Sequence, residues 1–318
     1  MNKRQSLRSW LVPTGAIIVS AVLILNMFYM TSVRHDNGVA RSTNIEDIAT
    51  TCQQNNVASN TTYSFHIAAE KGNRTYLVHT PPHENLAEPQ SVVFAFGGKG
   101  MGQHKFEQIS QLNQLPAIIV YPQPLLGKDK QRAWQGAPYS NKANDISFVK
   151  DILNDVSRNF CVNPDKVFSV GFSNGGGLSW MLSCSMSEQF HAFAMIAGAY
   201  YYPENKCQPQ KARSILNIHG HQDTVVPYNG SKRKHLPSID SWVSRRSKTN
   251  GCPRSFPVVN YFTSGVKTET WSHCRDDTNI VNIELENSGH TWPLLINDNN
   301  STRFTTTTQY VWQFFENS

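Results

Sequence analysis

Residues 166–177 read KVFSVGFSNGGG, a strand-like run that stops on a serine and gives way to glycine. Val167, Phe168, Val170 and Phe172 are β-formers, and Gly175, Gly176 and Gly177 are the small residues that a cramped turn needs. Gly171, Phe172, Ser173, Asn174 and Gly175 spell GxSxG, the strand-to-helix turn that holds a serine in a strained conformation at the head of a sheet. The following helix would aim its N-terminal N–H groups at developing negative charge. Any glycine-rich βα turn has a similar composition. Context separates the two readings: an apolar strand precedes the turn, and Leu178, Trp180, Met181 and Leu182 follow in an apolar helix.

A serine hydroxyl is a weak nucleophile at neutral pH, and needs a histidine to take its proton and a buried carboxylate to fix the imidazole tautomer. On such a sheet the two partners sit on loops that leave later strands at their carboxyl ends. Asp223, in HGHQDTVVPY, follows a strand ending at His219, and His290, in SGHTWP, follows one ending near Glu286. The expectation is therefore Ser173 as nucleophile, Asp223 as acid and His290 as base. His219 and His221 are rival bases on the same strand end as Asp223; His273 precedes the last strand, and Asp240 is a rival acid in a helix-like setting.

Acyl transfer also needs N–H donors for an oxyanion. The N–H of Asn174 is one candidate, and that of Gly98 or Lys99, in the glycine-rich loop after SVVFAF, is the other. Trp134, Trp292, Tyr200 and Tyr201 are aromatic candidates for a substrate pocket. No HExxH, paired CxxC or phosphate-loop pattern occurs, so no metal and no cofactor is expected. The net charge is +6, but the basic residues are scattered; the densest run, SKRKH at 231–235, reads as a solvated loop and not a nucleic-acid face.

The rest of the chain alternates strands with helices. Residues 62–68 and 75–79 read as an antiparallel pair, whereas 91–96, 116–121, 191–196, 214–219 and 281–286 are short apolar runs typical of strands buried on both faces. Residues 145–160 have helical spacing with Asp145 as the expected N-cap, and 305–315 form a closing helix with Tyr310, Val311 and Phe314 inward. This alternation predicts an α/β fold, a mostly parallel sheet with helices on both faces. Residues 237–273 read as an insertion.

Residues 10–30 carry no charge and as a helix would span roughly 31 Å, enough for a bilayer core of about 30 Å. Lys3, Arg4 and Arg8 precede them, so residues 1–9 are expected in the cytosol, 10–30 as a signal anchor or signal peptide, 31–60 as a stalk and 61–318 as a luminal or extracellular catalytic domain. All six cysteines lie beyond the apolar run, an even number suited to three disulfides. A Cys252–Cys274 bridge is expected in the insertion, and Cys161 and Cys184 could meet at the bottom of the sheet, below the elbow that the GxSxG turn makes. Sequons occur at Asn60, Asn73, Asn229, Asn299 and Asn300.

Taken together, GFSNGGG, HGHQDTVVPYNG and SGHTWP resemble the feruloyl esterase and polyhydroxybutyrate depolymerase group of α/β-hydrolases, over roughly residues 62–315. The resemblance implies an α/β-hydrolase fold and a serine carboxylic ester hydrolase acting through an acyl-enzyme, with Ser173, Asp223 and His290 in the roles given above. It implies an ester substrate, hydroxycinnamoyl or acetyl groups on plant cell-wall polysaccharide, with polyester depolymerisation as the alternative. The group usually carries His-Gly after the third strand, where this chain has Gly97 and Gly98. A membrane-tethered binding ectodomain without activity is the competing class; the altered oxyanion loop favours it and the complete set of three residues opposes it.

Overall fold

The computed structural model describes residues 52, 57–82, 85–253, 257–262, 265–293, 296–297 and 304–318. Residues 10–30 lie outside them, and among the described residues no helix is long and apolar enough to cross a membrane. The strands are β1 (Thr62–Ala69), β2 (Gly72–His79), β3 (Gln90–Phe96), β4 (Ile118–Pro122), β5 (Val162–Phe172), β6 (Ala192–Ile196), β7 (Ser214–Gly220), β8 (Val258–Phe262), β9 (Val266–Cys274) and β10 (Thr278–Leu285). They form one sheet in the order β1-β2-β4-β3-β5-β6-β7-β10-β9-β8. From β4 across to β10 all neighbours are parallel, and the pairs at either end are antiparallel.

Helices cover both faces, which is why the central strands are continuous apolar runs and do not alternate. On one face α2 (Asp145–Asn159), α3 (Asn174–Ser185) and α4 (Ile239–Thr249) bring Val149, Ile152, Leu178, Leu182 and Trp242 into a core with Phe94 and Phe96. On the other, α1 (Gln103–Ser110) and α5 (Thr307–Glu316) place Phe106, Val311 and Phe315 against Ala95, Val170 and Ile218. In α5 the fully buried apolar positions are Val311 and Phe315; Tyr310 and Phe314 pack only partly against the same core.

The N-cap of α2 is Asn144, not Asp145: the Asn144 side chain accepts the Ser147 N–H at 3.0 Å. Asp145 is instead buried, paired with Arg74 at 2.7 Å and accepting the Gln135 N–H at 2.7 Å. Arg74 lies 3.6 Å over the Phe148 ring, so this pair roots the long loop after β4 to the sheet. The presumed insertion is α4 followed by the β8–β9 hairpin, which extends the sheet edge.

Cys252–Cys274 is bridged as expected, but Cys161 pairs with Cys52 and Cys184 with Cys207. The expected Cys161–Cys184 bridge fails because the two ends diverge. The Cys161 carbonyl turns to β3, accepting the Gln90 N–H, whereas α3 lies across β5 and β6 and ends beside the loop after β6. The Cys52 bridge also binds a residue of the presumed stalk to the domain, and Ala58 O accepts the Thr80 hydroxyl at 2.7 Å. Asn60, Asn73 and Asn229 are exposed; Asn299 and Asn300 lie outside the described residues.

Candidate active site

Ser173 joins β5 to α3 with φ 55° and ψ −117°, a conformation that costs on the order of 1–3 kcal/mol and needs firm support from its surroundings. Support comes from backbone bonds on both sides: Ser173 N–H donates to Ile196 O, and Ser173 O accepts from Gly177 and Ala199. The flanking glycines are dictated by crowding. A Cβ on Gly171 would lie 2.1 Å from Gly175 O, and one on Gly175 would lie 2.0 Å from Phe96 O.

Asp223 follows β7 and His290 follows β10, two adjacent parallel strands whose loops interlock. His221 N–H donates to Leu285 O, and Gln222 N–H to Ser288 O. His290 is thereby folded back over the sheet, its ring 5.1 Å from that of Phe172. Its Nε2 stands 2.9 Å from Ser173 Oγ and its Nδ1 2.7 Å from Asp223 Oδ2. Asp223 is buried, and burial alone would raise its carboxyl. Hydrogen bonds from His219, His290 and the Val226 N–H outweigh that and hold it well below the usual carboxylate range. An ionised carboxylate only accepts, so Nδ1 of His290 carries the hydrogen and Nε2 turns its lone pair to the serine.

The rivals named from sequence are placed elsewhere. His219 is buried beneath Asp223, with Nε2 donating to Val226 O at 2.8 Å and 3.4 Å from Asp223 Oδ2. His221 pairs with Glu284 and stacks on Tyr228, His273 is exposed beside Asp277, and Asp240 accepts from the Tyr228 hydroxyl.

On the oxyanion side, a Cβ on Gly98 would lie 3.2 Å from Ser173 Cβ, so the loop after β3 rests against the serine. The Lys99 side chain points away, to Asp129 at 2.5 Å and over the Tyr139 ring at 4.4 Å, which leaves only its backbone as a donor.

The two tryptophans read as pocket residues are both buried, and that expectation is corrected. Trp134 is fully buried, edge-on to Phe96. Its Nε1 donates to Gly97 O at 2.9 Å and its backbone N–H to Asn174 Oδ1 at 2.7 Å. One residue thus ties together both stretches that hold the candidate donors, a role that an isolated aromatic in a sequence does not reveal. Trp292 packs against Phe106 and Phe172, with Nε1 3.3 Å from Thr308 Oγ1. Tyr200 is buried as well, stacked at 3.8 Å on Trp242, whereas Tyr201 stays half-buried at the rim, edge-on to Tyr139.

No family model matches the chain. It is 27% identical over 188 residues to feruloyl esterase B of Piromyces equi, covering 55% of this chain and 34% of that protein. It is 33% identical over 132 residues to feruloyl esterase D of Neurospora crassa, covering 40% of this chain and 46% of that one. The chain thus spans less than half the length of these relatives. Among solved structures, the acetyl xylan esterase from Aspergillus awamori superposes with a TM-score of 0.58 at 15% identity, over 80% of this chain and 100% of that one. The chain has the α/β-hydrolase fold, and in sequence it resembles the feruloyl esterases.

Proposed function

We propose that this chain is a serine carboxylic ester hydrolase of the feruloyl esterase kind, cleaving hydroxycinnamoyl or acetyl esters carried on plant cell-wall polysaccharide. The observation that carries this reading is the unbroken relay from Ser173 Oγ through His290 to Asp223, mounted on a strained serine. The named relatives support the substrate class, and three disulfides suit an extracellular or secretory-lumen setting.

In this mechanism Ser173 Oγ attacks the ester carbonyl carbon as its proton passes to His290 Nε2, and Asp223 stabilises the imidazolium through Nδ1–H. The oxyanion forms against the N–H groups of Asn174 and of Gly98 or Lys99. Collapse expels the alcohol, which takes the proton from Nε2 and leaves the acyl group on Oγ. A water molecule then gives its proton to Nε2 and attacks the acyl carbon. The C–Oγ bond breaks, the proton returns to Ser173, and the carboxylic acid leaves.

The test is turnover of 4-nitrophenyl acetate and methyl ferulate by the full chain, with fluorophosphonate labelling alongside. Ser173→Ala should abolish both turnover and labelling. Turnover unchanged by that substitution rejects the assignment.

A further inference from the structure

A groove of about 780 Å³ runs along α4. One wall is the loop after β6, in which Ala199 N–H holds Ser173 O and the next residues, Tyr200 to Tyr202, line the groove. The opposite wall is α4 itself, through Trp242, Arg245, Lys248 and Thr249. His235 and Pro237 close the end nearest Leu236, which packs with Ala199, Val226 and Tyr201. The groove therefore starts beside the loops that hold Ser173 and Asp223 and follows the helix away for roughly two turns.

Its chemistry is uneven. Tyr200 and Trp242, buried and stacked on each other, close its base, and Tyr201 and Tyr202 are the partly exposed rings that face it. Along the rim, Arg245, Lys248 and His235 are exposed, and none makes a salt-bridge contact with a carboxylate among the described residues, although the charge of Arg245 is felt by Glu204. The carboxylate that lines the groove, Glu204, is already paired with the buried Arg246 at 3.4 Å. Asp240, at the start of α4, accepts the Tyr228 hydroxyl. Partly exposed tyrosines beside a rim with more cations than carboxylates suit a chain of sugar rings that carries carboxylates.

We infer that the groove binds a uronate-bearing polysaccharide, presenting an ester on that chain or its branches to Ser173. The second half of this statement rests on the ester-hydrolase reading; binding does not.

Calorimetric titration of the full chain with an oligogalacturonide, a neutral xylo-oligosaccharide, dextran sulfate and duplex DNA tests this. The oligogalacturonide should bind, and more weakly as salt shortens the screening length from about 10 Å at 0.1 M. The neutral oligosaccharide should not bind at the same concentration. Arg245→Glu with Lys248→Glu should weaken the oligogalacturonide by about tenfold or more, since each exposed pair contributes modestly and four units of charge change. Lys71→Glu with Lys150→Glu, an equal charge change at exposed sites outside the groove, should leave binding as it was. Thermal melting confirms folding, and Arg245→Gln with Lys248→Gln replaces the reversal if it does not fold. No oligogalacturonide binding, equal binding of the neutral sugar, equal or tighter binding of dextran sulfate or DNA, or full binding by the groove variant each overturn the inference. Fluorophosphonate labelling of the same samples separates the two readings. Labelled protein that ignores the oligogalacturonide loses the groove and keeps the esterase, and unlabelled protein that binds it does the reverse.

Discussion

Trp134→Phe probes the site through a residue that never meets substrate. The substitution keeps the backbone N–H that Asn174 Oδ1 accepts and keeps an aromatic ring against Phe96, but deletes the Nε1 donor to Gly97 O. A buried carbonyl left without a partner costs about 1–3 kcal/mol of stability. That carbonyl immediately precedes Gly98, which touches Ser173, so the loop is free to rotate its N–H groups away from the oxyanion position. Loss of one oxyanion donor raises the barrier by about 3–4 kcal/mol, and each 1.36 kcal/mol is about tenfold in rate. The expected result is a fall in kcat on methyl ferulate of about a hundredfold or more, with KM changed by less than about threefold, because the donors act on the transition state. Trp292→Phe is the control: it also removes a buried indole donor, to Thr308 Oγ1, but touches neither oxyanion stretch. Urea unfolding should show comparable destabilisation in both variants, and only Trp134→Phe should lose kcat. Equal kcat in the two would show that Trp134 merely fills the core.

Two further outcomes follow from the same geometry. Asp223→Asn should lower kcat by about 10⁴-fold, as for a triad carboxylate that fixes the tautomer. It should also change acid stability: because the folded carboxyl lies below its unfolded value of about 3.9, its stabilisation is complete above that value and is lost as pH falls through the folded one. The stability gap between wild type and Asp223→Asn in urea titrations should therefore be flat above about pH 5 and shrink below about pH 4; a gap that widens on acidification refutes the assignment. Replacing Cys184 and Cys207 by Ala opens a bridge of sequence separation 23, and loop-closure entropy predicts a loss of about 3 kcal/mol, read as a lower urea midpoint.

The sequence makes legible what depends on local pattern. The parallel strands announce themselves as apolar runs because both faces are covered, and the elbow does so because Gly171 and Gly175 admit no side chain. The order of Ser173, Asp223 and His290 follows from strand ends that can be located to within a residue or two. What stayed hidden depends on three-dimensional neighbours. Helix α1 has Gly102 as its N-cap, with no side-chain cap, and buries few apolar residues, so neither its start nor its period stands out. The strand β8 lies at the sheet edge and exposes most of its side chains, Val258 and Tyr261 included. Asn144 and Asp145 are equally good caps on paper, and only the buried Arg74 opposite decides between them. Trp134 and Trp292 were misplaced because an indole suits a pocket wall and a core equally well; the partner of its N–H tells them apart.

The strand between the serine and its partners has a consequence for how such a cleft can be altered. β6 bears none of the three reacting side chains, yet Ser173 N–H donates to Ile196 O while the next residue, Ala197, donates to Ile218 O on β7. The gap between Ser173 and the proposed base His290 is therefore gauged by main-chain contacts along a silent strand, with Ala197 held at φ 48° to make the crossing. A rim residue such as the half-buried Tyr201 can be exchanged without disturbing that gauge, whereas a bulkier side chain at Ala197 would throw the two halves out of alignment and carry the serine and imidazole of the proposed relay out of reach of each other.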